Sequence, residues 1–236
     1  MTITIPESWD EVSVAQYVEL MQLGLDYNTI NTLIFSLTNE RIGSIGLASI
    51  DVADFDKVLT TLAILLDISE DDLMQLEQTD LLTILQSMQG LTTIEQVPTK
   101  YNYNAISVAK WINIEEAIKG ETTSNIAIML SKLLEIDEAM ILRAPITEYY
   151  SYVVEFNKHR KDIYEKYQPL FISDDEAEDT TKLTAEEMRN IERAKKWNWY
   201  GLIYSLADGD FNTMHEVVNH NFIGALNFIS YRKQLK

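Results

Sequence analysis

Cysteine is absent from this sequence. Its absence excludes disulfides, thiolate metal sites and cysteine nucleophiles, and fits a chain that folds in a reducing cytoplasm. Glycine and proline are scarce, with 8 and 4 in 236 residues. Phosphate-cradling loops need glycine where the backbone meets the ligand, and neither G-x-x-x-x-G-K-[ST] nor G-x-G-x-x-G occurs. With 3 histidines, a Ser-His-Asp arrangement would have to be assembled from unrelated segments, and no G-x-S-x-G elbow supports one. Long apolar runs are missing too. Stretches such as Leu62 to Leu66 fall far short of the ~20 residues a membrane span requires. The opening MTITIPESWDEV has neither a basic n-region nor an apolar h-region, so the expectation is a soluble chain without a signal peptide.

Positive charge is short, and unevenly so. Residues 1 to 99 hold 16 acids against Arg41 and Lys57, a net of −14, while residues 100 to 236 hold 21 acids against 17 bases, a net of −4. Direct nucleic-acid binding needs a basic footprint, and the first half would repel phosphate. Solubility, or a basic partner for the acidic N-terminal half, accounts better for the acidity.

What is present is an apolar content of 46%, enough for an ordinary core, arranged mostly at helical spacing. TITIP reads as a short N-terminal strand ended by Pro6. Ser13-Val14-Ala15-Gln16 is a capping box, in which hydroxyl and amide satisfy backbone donors at a helix start, and Val14, Tyr17, Val18 and Met21 follow on one face. Further helices are expected over residues 28 to 38, from Asp51 to about Asp67, from a Ser69 cap through Leu76, and over Thr79 to Leu91. Two glycines in RIGSIGLASI mark a turn region. Tyr101, Tyr103, Ile106 and Val108 alternate as a small β-hairpin or extended segment near residues 100–109 would. Helices resume over NIEEAIKG, SNIAIMLSKLLEI and Pro145 to Tyr167. The fold expected is therefore mainly α, a multi-helix bundle with a short N-terminal strand and that hairpin.

Residues 172–182, containing SDDEAEDTTK, read as an acidic linker. Its aspartates lack the glycine and closing glutamate of a calcium loop, and Asp208, Asp210 and Asn212 fail the same test. The linker would separate a main helical domain, residues 1–171, from a C-terminal helical pair, residues 183–236, packing back on it. Within that pair, Thr184 to Glu187 and Thr213 to Glu216 each read as a capping box.

His215-Glu216-Val217-Val218-Asn219-His220 comes close to the zinc motif H-E-x-x-H. That motif works because histidines at i and i+4 face one metal. Here they stand at i and i+5, about 500° apart around a helix, so they diverge. No metal, cofactor or catalytic residue is assigned. Trp197, Tyr200 and Tyr204 recur at i, i+3 and i+7, the spacing of a buried structural stripe. Tyr149, Tyr150, Tyr152 and Phe156 are candidates for a protein contact surface, because amphipathic aromatics are enriched at interfaces.

The opening ITIPESWDEVSVAQYVELMQL and the end WNWYGLIYSLADGDFNTMHEVVNHNFIGALNFISYRKQ resemble small assembly proteins of tailed bacteriophages. Those share a short strand, Trp-x-x-[VI]-[ST] and an aromatic-bearing helix at the start. At the end they share a Trp-rich helix, an LA-x-GD turn and a helix ending in L-x-[FY]-[IL]-x-[YF]-x-K. The resemblance implies a non-enzymatic role in virion assembly, as a tail-assembly chaperone or a minor tail or baseplate component. It implies other tail or virion proteins as partners, while the charge and the short apolar runs speak against nucleic acid and membrane. The location would be the host cytoplasm during assembly, or the virion for a component that stays. A small acidic phage protein that binds a host factor is the alternative reading.

Overall fold

A computed structural model describes residues 3–25, 29, 52–88, 91, 94, 96–119, 125–171 and 199–234. Of these, 74% are helical, in 12 helices, with no strand among them. The expected helix over residues 28–38, the turn region at 41–50, the linker, the capping box from Thr184 and Trp197 lie outside the described residues. The chain divides into two compact units, residues 1–99 with 118–153, and residues 100–117 with 154–236. This division differs from the expected main domain ending at residue 171. Linker composition marks where a chain is polar, whereas units are set by which helices bury each other.

The first unit begins with a 3-10 turn, Trp9–Glu11, followed by α1, Val14–Gln22. The Ser13 capping box forms as the sequence predicts. The Ser13 hydroxyl accepts from the Gln16 amide at 3.2 Å, and Gln16 Oε1 accepts from the Ser13 amide at 2.9 Å. The remaining end of Gln16 donates to the carbonyls of Ile64 and Leu65, at 2.9 and 3.3 Å. One side chain thus starts α1 and holds it to the last turn of α2, Val52–Leu66. Asp67, in a left-handed conformation with φ 51°, closes α2. Ser69 then caps α3, Glu70–Met74, accepting from the Asp72 amide at 3.1 Å.

Helix α4, Gln78–Ser87, follows, and later in the chain come α6, Ile126–Leu134, and α7, Glu138–Arg143. Helix α6 buries Ile126, Ala127, Met129, Leu130 and Leu133, an aliphatic face at helical spacing. Helix α7, which the apolar period did not reveal, is started by the Asp137 carboxylate, which accepts from the Ala139 amide at 2.9 Å. The fully buried side chains of this unit include Trp9, Leu20, Leu65, Met88 and Ile126.

The second unit is built on α5, Val108–Ile118, and on the later residues of α8, Ile146–Lys166. With them come the short α9, Gln168–Phe171, a helical run over residues 199–206, α10, Phe211–Asn219, and α11, Phe222–Gln234. Its centre is aromatic. Trp111 stacks on Phe222 with ring centroids 4.6 Å apart and planes 14° apart, and Phe156 packs on Trp111 at 5.9 Å. Glu115, almost wholly buried, receives two hydrogen bonds from Arg160, at 2.7 and 3.0 Å. This bidentate bond holds the guanidinium above its ordinary pKa, and burial, with Glu115 adding, raises the Tyr164 phenol beside it.

The two β expectations are corrected. Residues 3–6 adopt no strand, and in place of a hairpin the structure has a 3-10 turn at Tyr103–Ala105 and a helix already under way at Val108. Among the described residues, strand-like pairing survives only as isolated bridges, Ser13 with Pro145 and Ser107 with Asn221. The alternating tyrosines have another cause. Tyr101 and Tyr103 pack on each other at 4.9 Å, and Val108 N donates to the His220 carbonyl rather than to a partner strand.

Candidate protein interface

The residues expected to form a contact surface share one helix, α8, but differ in burial. Phe156 is fully buried in the second unit, where it packs on Trp111, so it is corrected from surface to core. Tyr149, Tyr150 and Tyr152 are half-buried in the first unit, and Tyr150 packs edge-on against Tyr17 at 6.1 Å. Burial, with the charge of Glu148 adding, raises the Tyr149 phenol.

The expected buried stripe is corrected in the opposite direction. Tyr200 and Tyr204 are 47% and 50% exposed and stack on each other at 6.4 Å. Spacing places two residues on one helical face, but nothing in the spacing says whether that face is covered. Phe211, Phe228 and Tyr231 are exposed as well, Phe211 to 75%. The large apolar side chains exposed in the described part of the second unit are thus all aromatic and all lie on the C-terminal helices.

These helices are held by polar contacts at both ends. At the start of α11, Phe222 N donates to the Ile106 carbonyl at 2.9 Å, and Asn221 donates to the Asn104 carbonyl. Farther along, the Tyr167 hydroxyl donates to Asn227 at 2.7 Å, and Lys233 donates to the Pro169 carbonyl at 3.0 Å. The turn before α10 is tied down by Arg232, which donates to Asp208 at 2.8 Å and to the Ser205 carbonyl at 3.1 Å. Gly209 is required in this turn. Its φ is +80°, and a Cβ there would meet the Tyr204 hydroxyl at 3.0 Å.

The start of α10 also corrects an expectation. Asp210, not Thr213, is the cap: its carboxylate accepts from the Asn212 amide at 3.0 Å and from the Thr213 hydroxyl at 2.5 Å. These bonds hold Asp210 below the ordinary carboxylate range. Thr213 is therefore inside the helix, and Glu216 is an exposed residue of α10 rather than a capping partner. His215 is exposed on α10 and His220 is its exposed C-cap. No group of three or more metal-ligating side chains is assembled among the described residues.

A groove of about 410 Å³ runs along α10 and α11, lined by Leu206, Val217, Ala225 and Phe228, with Glu216 and His220 also on its wall. Under it, Ala207, Met214 and Val217 form a small apolar cluster with Ile203 and Leu206. Chemically the arrangement can bury an apolar side chain beside a few polar groups, as interfaces do. In the first unit a wider groove of about 970 Å³ is lined by Glu19, Asp67, Glu70 and Asp72 with Arg143. No helix among the described residues is long and apolar enough to cross a membrane. Comparison with protein-family models, with curated proteins and with solved structures returns no match to this chain.

Proposed function

We propose that this chain acts without catalysis, by protein contacts, in the assembly of a tailed-bacteriophage particle. It serves as a tail-assembly chaperone or as a minor tail or baseplate component. The observation that carries the contact reading is the set of exposed aromatics on the C-terminal helices, Phe211, Phe228 and Tyr231, of which Phe228 also lines an apolar groove. Exposed aromatics grouped on one part of a chain mark contact surfaces more often than singly scattered apolar residues do. The virion-assembly part rests on the resemblance of the opening and closing segments to phage assembly proteins. The acidic groove of the first unit supports a basic partner, which would be drawn to it electrostatically.

The test is co-purification of the tagged chain from cells that also express the virion proteins of the same genome. Wild type is expected to recover a tail protein, and the double variant Phe228→Ser, Tyr231→Ser to lose it while unfolding at the same urea concentration. Equal recovery by both proteins would remove the aromatic face from the reading. Recovery of one host protein and no virion protein would overturn the assembly role.

A further inference from the structure

Helix α8 carries a histidine that the docking face does not use. His159, on α8, has its ring centroid 5.7 Å from that of Tyr103 and 6.2 Å, edge to face, from that of Trp111. Its Nε2 and the Trp111 Nε1 are both buried, and neither has a hydrogen-bond partner among the described residues. Nδ1 is left to meet the Tyr103 backbone, which bonds the imidazole.

The consequence depends on protonation. In the neutral ring Nε2 is a lone pair that lacks only a donor. In the imidazolium it is a buried N–H donor carrying charge, with no hydrogen-bond partner among the described residues. Asp162, on the same helix, is the charged group that acts on the ring, while the Glu115–Arg160 ion pair joins α5 to α8 and Lys110 stands 5.7 Å from the Tyr101 ring. Phe222 on α11 adds no charge. Asp162 and the Tyr103 backbone favour the protonated ring, but burial outweighs them and holds the His159 pKa below its ordinary value.

Movement at this ring has a direct route to the surface. Trp111 has the His159 ring edge-on at 6.2 Å and stacks on Phe222 at 4.6 Å, and Phe222 is the first residue of α11, which carries Phe228 and Tyr231. We infer that His159 is an acid-sensitive latch of the second unit: neutral, it completes the aromatic box that seats α11, and protonated, it unseats Phe222 and the exposed aromatic face with it. Because the folded pKa lies below the unfolded one, the latch is fully closed above about pH 6.5. It weakens as pH falls from there toward the folded value, below which the loss is constant.

The full-length chain tests this without any partner, so the outcome is separable from the docking reading. Urea unfolding of wild type and His159→Phe is compared at pH 7.5 and pH 5.0, with an NMR titration of the wild-type histidines. The wild-type folded-to-unfolded ratio is expected to fall across this range, by at most roughly tenfold per pH unit, while His159→Phe keeps its ratio. The wild-type His159 ring is expected to titrate below 6.5, with α11 amide shifts moving at the same pH. An equal fall in both proteins, or a His159 ring titrating at or above 6.5, would overturn the latch. If His159→Phe does not fold, the wild-type titration decides alone, and α11 amides that ignore it sink the proposal.

Discussion

The two units solve the same packing problem with different residues. The first holds 21 acids against 5 bases, a net of −16, and the second 16 against 14, a net of −2. The second holds 15 of the 23 aromatic residues in 101 of the 236 positions. In the first unit, helices with aliphatic faces at helical spacing meet, and the large apolar residues left exposed among the described residues are the scattered Leu23, Met74, Val97 and Met140. In the second, flat rings stack and polar groups are taken into the core, namely the Glu115–Arg160 pair, the Trp111 Nε1 and the His159 Nε2. The first unit takes in aromatic and polar groups too, namely Trp9, Tyr17, Thr61 and Ser151, but most of its buried side chains are aliphatic. Aromatic packing brings N–H and O–H groups inside with the rings, so its fit depends on hydrogen bonding and protonation as well as on shape.

Three substitutions bear on that comparison. Trp111→Ala removes the ring on which Phe156 and Phe222 pack and is expected to cost about 3–5 kcal/mol in urea unfolding. Its loss of hydrogen-exchange protection should fall on residues 100–117, 154–171 and 199–234. Equal loss over α1 and α6 would break the division into units.

Arg160→Ala strands the buried Glu115 carboxylate and is expected to cost about 2–4 kcal/mol, less than a fully buried pair because Arg160 retains some exposure. The double variant Arg160→Met, Glu115→Leu should recover part of this, as read from the same unfolding curves. A double variant no better than Arg160→Ala would mean that the loss comes from packing rather than from the stranded charge.

Ser13→Ala has the smallest expected effect, about 1 kcal/mol, because it removes one cap acceptor and loosens the hold of Gln16 on α2. The readout is again unfolding, with exchange rising at the start of α1 and the end of α2. No change at α2 would show that Gln16 holds its two carbonyl contacts without the cap.

Legibility follows the same divide. The Ser13 capping box, the Ser69 cap and the aliphatic helices α2 and α6 were readable because their causes lie within a few residues: a hydroxyl three positions from an amide, or apolar side chains recurring every turn. The aromatic segments misled. Tyr101 and Tyr103 alternated like a strand and are packed on each other beside a helix start. Tyr200 and Tyr204 were spaced like a buried stripe and are exposed, and Phe156, grouped with surface tyrosines, is core. At α10 two capping residues competed three positions apart, and Asp210 won because its carboxylate also accepts from Thr213, the rival cap. The Asp137 signal before α7 is present in the sequence, but the helix it starts is only 6 residues long, too short for an apolar period to show.

By itself, then, the sequence determined the helical class, the ends of several helices and the concentration of negative charge in the early chain, since these depend on local hydrogen bonds and on composition. Only the tertiary structure decided which helical faces are covered, that Glu115 meets Arg160 across 45 positions, that the Trp111 and His159 nitrogens are both buried with their rings edge to face, and that the exposed aromatics gather on α11 and its neighbours. Burial belongs to pairs of surfaces, and one strand of sequence contains only half of each pair.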